Sequence, residues 1–428
     1  MPTLNWIGKE AVVDHHRKVP TRLLDCDREL SFGDPEAENL LVEGDNLEAL
    51  KALLPRYRGQ VKCIYIDPPY NTGNEGWVYN DNVNDPRIKK WLGEVVGKEA
   101  EDLCRHDKWL CMMYPRLALL REFLREDGAI FVSIADHENH SLRMVLDEVF
   151  GPSNFIATIV WQKKQSPQND AINLSDMHEY VIVFARKAKQ NRDDADGWNR
   201  NLLTRTAEAN SRYRNPDDDP RGPWTAADFT CNKTRQERPN LFYPIINPHS
   251  GNEVWPSERR VWLMDPTASA ELLRDNRLWW GASGTNFPRL KKFLSEVAVG
   301  IVPSTWWGRD FAGDNQEARR ELRQIFTTDE MDFATPKPTR LIRRILEMAT
   351  DKNSLVMDSF AGSGTTGHAV ADLNAEDGGS RRCILVEIEP NIARNITRER
   401  LRRVIEPPQE AQRERERERE REGNSCAA

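Results

Sequence analysis

Two consecutive prolines, Pro68 and Pro69, close the apolar run Val61–Ile66, and neither helix nor sheet ladder continues through such a pair. The run predicts a buried strand over Val61–Asp67. Asp67-Pro68-Pro69-Tyr70 then becomes a rigid loop at the strand's C-terminal end. The same grammar recurs along the chain. Leu40–Leu54 reads as a strand end followed by a helix, with Leu47, Leu50, Leu53 and Leu54 at helical spacing. A helix over about Trp109–Arg125 precedes a strand at Ala129–Ile134, a helix at Ser141–Phe150 and paired strands at Phe155–Gln162 and Glu179–Ala185. Pro338–Ala349 has the spacing of an amphipathic helix, and Ser354–Asp358 that of a strand. The glycine-rich turn Phe360–Thr366 leads into a helix, followed by a strand at Arg382–Glu387 and a last helix at Asn391–Val404. Strands alternating with helices imply an α/β architecture: a mainly parallel sheet with helices on both faces.

Two stretches interrupt this alternation. Residues 71–108 are polar and rich in Asn, Asp and Gly, which predicts a long loop or lid. From about 187 to 330 the segments are short and broken, and 8 of the 13 tryptophans fall there among arginines and prolines. That change predicts an irregular domain inserted in the α/β unit. The expected organisation is an N-terminal extension (1–39), two α/β parts (40–186 and 331–405) flanking the insertion (187–330), and a charged tail (406–428). The tail alternates Arg and Glu with almost nothing to bury, which predicts a frayed helix or disorder.

The longest apolar runs are too short to cross a membrane, and the N-terminus lacks the apolar core of a signal peptide. Seven cysteines at irregular spacing, with no C-x-x-C pair, suit reduced thiols in a cytoplasm better than disulfides or zinc. No two histidines stand at i, i+4, so no metal site is expected. The net charge of −7 decides nothing about nucleic acid, because binding depends on how charge is distributed over a face.

Chemistry concentrates at strand ends. Gly362-Ser-Gly364-Thr-Thr-Gly367 satisfies G-x-G-x-x-G, and Glu387 follows Gly367 by 20 residues at a strand end. Such glycines let backbone approach a nucleoside cofactor, and an acid so placed binds a ribose diol. The pattern alone does not separate a nicotinamide cofactor from other nucleoside cofactors. The tetrapeptide suits a narrower task. The lone pair of an aromatic amine is delocalised into its ring, and acceptors at its N–H groups favour a more tetrahedral, nucleophilic nitrogen. The Asp67 carboxylate and the Pro68 carbonyl are placed to accept, Pro69 stiffens the loop, and Tyr70 offers a face to an extruded base. Asp45, Asp67, Asp358 and Glu387 are all expected at C-terminal strand ends, where ligands of doubly wound sheets bind. An aspartate at 358 would repel a pyrophosphate, which weighs against a dinucleotide.

These stretches resemble the β-group of DNA amino-methyltransferases, in which the catalytic tetrapeptide precedes the cofactor turn, and above all the modification subunits of type III restriction systems. The resemblance rests on Leu41-Val-Glu-Gly-Asp-Asn-Leu-Glu-Ala-Leu50, Ile64-Tyr-Ile-Asp-Pro-Pro-Tyr-Asn-Thr-Gly73, Trp109-Leu-Cys-Met-Met-Tyr-Pro-Arg-Leu117, Asp219-Pro-Arg-Gly-Pro-Trp224, Thr335-Pro-Lys-Pro-Thr-Arg-Leu341 and Asp358-Ser-Phe-Ala-Gly-Ser-Gly-Thr-Thr366. It implies a circularly permuted, Rossmann-like methyltransferase fold with an inserted target-recognition domain, and S-adenosylmethionine as cofactor. Phe360, Gly362 and Gly364 would form the cofactor turn, with Asp358 toward the methionine amine. Glu387 would lie at the ribose, Asp45 near the adenine, and Thr335 and Lys337 at the methionine end. Asp67, Pro68, Pro69 and Tyr70 would present the target amine, and the aspartate form of the motif goes with adenine N6, cytosine N4 being the alternative. Double-stranded DNA, a homodimer and a restriction subunit are the implied partners. A DNA-binding subunit without catalysis and a nicotinamide-dependent oxidoreductase are the rival readings. The chain departs from the family where Ser133-Ile-Ala-Asp-His-Glu138 has alanine at 135 in place of a carboxylate, and it is short for a type III subunit.

Overall fold

The computed structural model describes residues 3–71, 86–97, 105–169, 172–191, 193–297, 300–326 and 333–406. The charged tail expected from 406 therefore falls almost wholly outside the described residues, as does most of the predicted 71–108 loop. The described part of that loop is helical at Pro86–Val95.

The chain forms two compact units, Met1–Asn201 with Pro303–Ala428, and Leu202–Val302. The second is narrower than the 187–330 expected from composition. Trp306–Trp307 is the reason at one end, since it pairs with Phe155–Gln162 as an outer strand of the main sheet. At the other, Trp198 meets Phe131 edge-on and the Asn201 amide donates to carbonyls of Glu347 and Thr350.

Among the described residues the main sheet has eight strands: β1 (Leu40–Glu43), β2 (Val61–Ile66), β3 (Leu124–Ile134), β4 (Phe155–Gln162), β5 (His178–Ala185), β6 (Trp306–Trp307), β7 (Leu355–Asp358) and β8 (Arg382–Glu387). Their spatial order is β1-β8-β7-β2-β3-β5-β4-β6, and only β5 runs against the others. A mainly parallel sheet needs cover on both faces, and β2 and β7 are accordingly buried at every residue. The helices of this unit include α1 (Asn46–Tyr57), α2 (Pro86–Val95), α3 (Arg105–Phe123), α4 (Asp136–Phe150), α5 (Asn315–Ile325), α6 (Thr339–Ala349), α7 (Thr365–Asp377) and α8 (Arg398–Ile405), of which α1, α4, α6 and α7 pack directly on the strands. The N-terminal segment packs on this unit: Trp6, Val12 and Val19 join its core, and Lys9 pairs with Glu148 at 2.7 Å.

Strand β3 begins at Leu124, five residues ahead of the predicted strand. Its register against β2 shifts between Val61 and Cys63, which a period-two pattern in sequence cannot show. No described helix is long and apolar enough to cross a membrane.

The unit Leu202–Val302 has its own small core of Phe229, Ile245, Trp262, Leu278 and Trp280. Its largest described sheet centres on Arg289–Phe293, which pairs with Trp224–Asp228 on one side and Leu278–Trp279 on the other. The Asp219-Pro-Arg-Gly-Pro-Trp224 stretch builds a buried ionic node. Asp219 accepts from Arg221 Nε at 2.8 Å and Lys291 Nζ at 3.0 Å, and these cations hold its carboxyl far below the usual range. Trp280 and Trp307 are buried, whereas Trp306 is exposed.

Candidate functional site

Order within the sheet creates the site. From β7 the chain proceeds to β8 on one side, and from β2 to β3 on the other, so the crossovers diverge between these adjacent parallel strands. At such a switch point the loops leave in opposite directions and open a crevice at the strands' C-terminal ends. The glycine turn leaves β7 there, and Asp67-Pro68-Pro69-Tyr70 leaves β2. The four acids then stand along one rim in the order Asp45, Glu387, Asp358 and Asp67, each at or just after its strand.

The turn is held from several sides. Asp358, buried, accepts the Phe360 N–H at 3.0 Å and the Thr366 hydroxyl at 2.5 Å. Burial pushes its carboxyl up to about 7, the two donors oppose the shift, and the charges of Asp67 and Glu387 reinforce it. Gly362 and Gly364 have φ of 50° and 77°, the left-handed region where glycine carries no Cβ penalty. A Cβ at Gly364 would press on Thr397, and one at Gly367 would meet Leu401 at 2.7 Å, so these glycines also serve close packing. Glu387 takes the Gly362 N–H on one oxygen at 2.8 Å and the Glu389 N–H on the other at 2.9 Å.

The tetrapeptide loop is fixed as firmly. Trp109 Nε1 donates to the Pro69 carbonyl at 2.6 Å. Asn71 follows with φ of 59°, rare outside glycine, and its buried amide donates to Glu138, itself hydrogen-bonded to His106 at 2.6 Å. The Tyr70 hydroxyl lies 2.7 Å from Asp67 Oδ1 and 3.1 Å from Glu179 Oε2. Burial and these carboxylates push the phenol well above its ordinary pKa, which keeps it a donor. Asp67 is also shifted upward, by burial first, with Lys337 opposing.

Tyr65, Asp67, Thr335, Lys337, Asp358, Phe360 and Gly362 line one cleft together with Pro336 and Thr366. Six residues expected at the site therefore share a wall. Lys337 is the one whose place differs: its Nζ is 2.7 Å from Asp67 Oδ2, on the tetrapeptide, in addition to lining the cleft. A cation long enough to reach a half-buried carboxylate goes there, because neither charge is well solvated in the crevice. Asp45 caps α1 through the N–H groups of Leu47 and Glu48 and pairs with Arg116 at 2.9 Å, while Asn46 beside it donates to the Ser359 carbonyl.

Two residues escaped the sequence reading. Glu179, the one charge in the apolar strand Glu179–Ala185, is buried between Tyr70, Lys337 and Lys163. Arg400 is fully buried behind the turn and donates to the Ser363 carbonyl, Thr365 Oγ1, Thr339 Oγ1 and His368 Nδ1. Burial brings its guanidinium down to about 10. A signal existed: Ile392, Ala393, Ile396, Thr397, Arg400 and Leu401 form one inward stripe of helical period, and Arg400 is the charge within it.

The chain is similar to known DNA-modifying proteins. The DNA methylase family model matches residues 61–398. The StyLTI Mod subunit of Salmonella typhimurium, a type III restriction-modification enzyme component, is 31% identical over 94% of this chain and 62% of its own length. The EcoPI Mod subunit of Escherichia phage P1 is 32% identical over 90% of this chain and 63% of its own. The chain thus spans somewhat under two thirds of these relatives. The type II methyltransferase M.KpnI of Klebsiella pneumoniae is 30% identical over 84% of this chain and 82% of its own. Among solved structures, the cytosine-N4-specific PvuII DNA methyltransferase aligns over 87% of this chain and 94% of its own at 14% identity and a TM-score of 0.42, too loose to bear weight.

Proposed function

Because this chain belongs to the DNA methylase family, we propose that it is a site-specific DNA methyltransferase that moves a methyl group from S-adenosylmethionine to N6 of an adenine turned out of the duplex. The observation that carries this reading is the pairing of β7 with β2, which puts the glycine turn and Asp358 into one cleft with Asp67.

The crevice suits the cofactor. Ser359 Oγ is buried and has no hydrogen-bond partner among the described residues. Gly44, after β1, leaves open space where a side chain would stand. Asp358, Phe360, Gly362 and Thr335 would hold S-adenosylmethionine, with Asp45 and Glu387 further along the rim. The bound cofactor supplies an electrophilic methyl group on a sulfonium. The chain's own residues do positional and electrostatic work. Asp67 accepts an N–H of the target amine, localises the nitrogen lone pair and stabilises the positive charge that develops there. Tyr70 stacks on the base, Trp109 fixes the loop through Pro69, and Asn71 locks its exit.

The aspartate of the tetrapeptide favours adenine N6 over cytosine N4. Arg212, Arg214, Arg235 and Arg238 are exposed in Leu202–Val302 and support DNA contact there, whereas Arg221 belongs to the Asp219 node. The relatives named as Mod subunits support a role in restriction-modification, and we read this chain as a cytoplasmic, homodimeric modification component beside a restriction subunit. The test is mass spectrometry of nucleosides from DNA of cells expressing the chain or Asp67→Ala. N6-methyladenine with the first and none with the second is expected. N4-methylcytosine would move the reading to cytosine, and an active, folded Asp67→Ala would end it.

A further inference from the structure

Lys337 occupies the place that an acceptor amine needs. Its Nζ is 2.7 Å from Asp67 Oδ2 and 4.9 Å from the centroid of the Tyr70 ring. An exocyclic amine must likewise donate to the Asp67 carboxylate while its ring lies against Tyr70. With Oδ1 facing the Tyr70 hydroxyl and Oδ2 facing Lys337, the carboxylate is engaged on both oxygens. The ammonium must leave Oδ2 for the amine to be received there. A buried ammonium cannot simply be abandoned, since an unpaired buried charge is costly.

A second carboxylate stands beside it. Glu179 Oε2 is 3.7 Å from Lys337 Nζ and 3.1 Å from the Tyr70 hydroxyl. The opposite oxygen, Oε1, is 3.4 Å from Lys163 Nζ, and Lys163 is itself tied to Asp176 at 2.6 Å. Lys163 thus fixes Glu179 with Oε2 turned to the site. We propose that Lys337 is a two-position residue, held on Asp67 while the acceptor site is closed and drawn to Glu179 when a target amine arrives. Glu179 is the positioning residue that makes this exchange affordable in charge. The inference rests on the methyltransferase reading above and adds to it a gate between cofactor cleft and acceptor loop.

The first test needs neither DNA nor cofactor. Protein labelled with 15N at lysine Nζ should give a protected ammonium signal for Lys337, assigned by its loss in Lys337→Met. The signal should survive in Asp67→Asn, held by Glu179, and exchange markedly faster in Asp67→Asn/Glu179→Gln. Loss in Asp67→Asn alone would overturn the proposal whether or not the chain methylates DNA. The second test is single-turnover methylation at saturating cofactor. Glu179→Gln should slow transfer by about tenfold or more with cofactor affinity held within about twofold. Adding Lys337→Met should restore part of that rate, because no ammonium then competes for Asp67 Oδ2. A double variant as slow as Glu179→Gln would overturn the exchange, while a wild-type protein that transfers no methyl at all would instead overturn the methyltransferase reading.

Discussion

Glu387 Oε2 accepts the backbone N–H of Gly362 at 2.8 Å, so the acid expected at a ribose is also the clamp that shapes the glycine turn. Its second oxygen takes the Glu389 N–H at 2.9 Å. Glu387→Gln replaces one acceptor by a donor and leaves a buried N–H unmet, at about 1–3 kcal/mol. Chemical denaturation of the ligand-free variant should show that loss, and calorimetry should show weaker cofactor binding alongside it. Weaker binding at unchanged stability would mean that the acid serves only the ligand.

Asp358 should make stability depend on pH in an unusual direction. Its folded pKa, about 7, lies above the ordinary 3.8, so the folded state holds a proton that the unfolded chain has released. The contribution is therefore full below the ordinary carboxylate pKa, falls as pH rises from about 4 to about 7, and is constant above. Denaturation of wild type and Asp358→Asn between pH 5 and 8.5 should give curves that converge in slope only above about 7, the gap between them changing by at most about 3 kcal/mol across that range. Parallel curves throughout would contradict the shift. A cationic ligand seated at Asp358 favours the carboxylate, so binding at pH 7 should release part of a proton. Enthalpies that depend on the ionisation heat of the buffer would register it.

Arg400 should matter without touching a ligand. Its planar fork satisfies Ser363, Thr365, Thr339 and His368 together, which a lysine ammonium cannot do from one point. Arg400→Lys should destabilise the fold by about 2 kcal/mol or more and weaken cofactor binding through the turn. Unchanged melting and unchanged affinity would show that the network is not needed.

Sequence specificity should travel with the inserted unit. Exchanging Leu202–Val302 for the matching unit of a relative with another target should transfer the methylated sequence, read by modification-sensitive sequencing. A folded, active chimera that still marks the original sequence would place recognition elsewhere, with the stretch 71–108 next to be exchanged.

What the amino-acid order determined alone is local. Val61–Ile66, Leu355–Asp358 and Arg382–Glu387 are apolar runs short enough only for buried strands, and each ends on or beside an acid. Burial on both faces and parallel pairing follow from that pattern, and so does a rim of carboxylates, because parallel strands end together. The proline pair and the glycine turn were equally legible, since their backbone constraints act within a few residues. Tertiary structure decided which of these groups meet. Lys337 and Asp67 are 270 positions apart, and no periodicity relates them. Their pairing follows from β7 lying next to β2, a choice made by the packing of the whole sheet. The same holds for Arg400, whose stripe shows that it turns inward but not that hydroxyls and a carbonyl await it. Glu179 reads as one polar residue in an apolar strand until antiparallel pairing of β5 with β3 and β4 carries it to the Tyr70 hydroxyl. Local patterns fix what each segment is because their energetics close within a turn or a strand. The pairing of buried charges is fixed only by the fold, because the penalty that drives it exists only once water has been excluded.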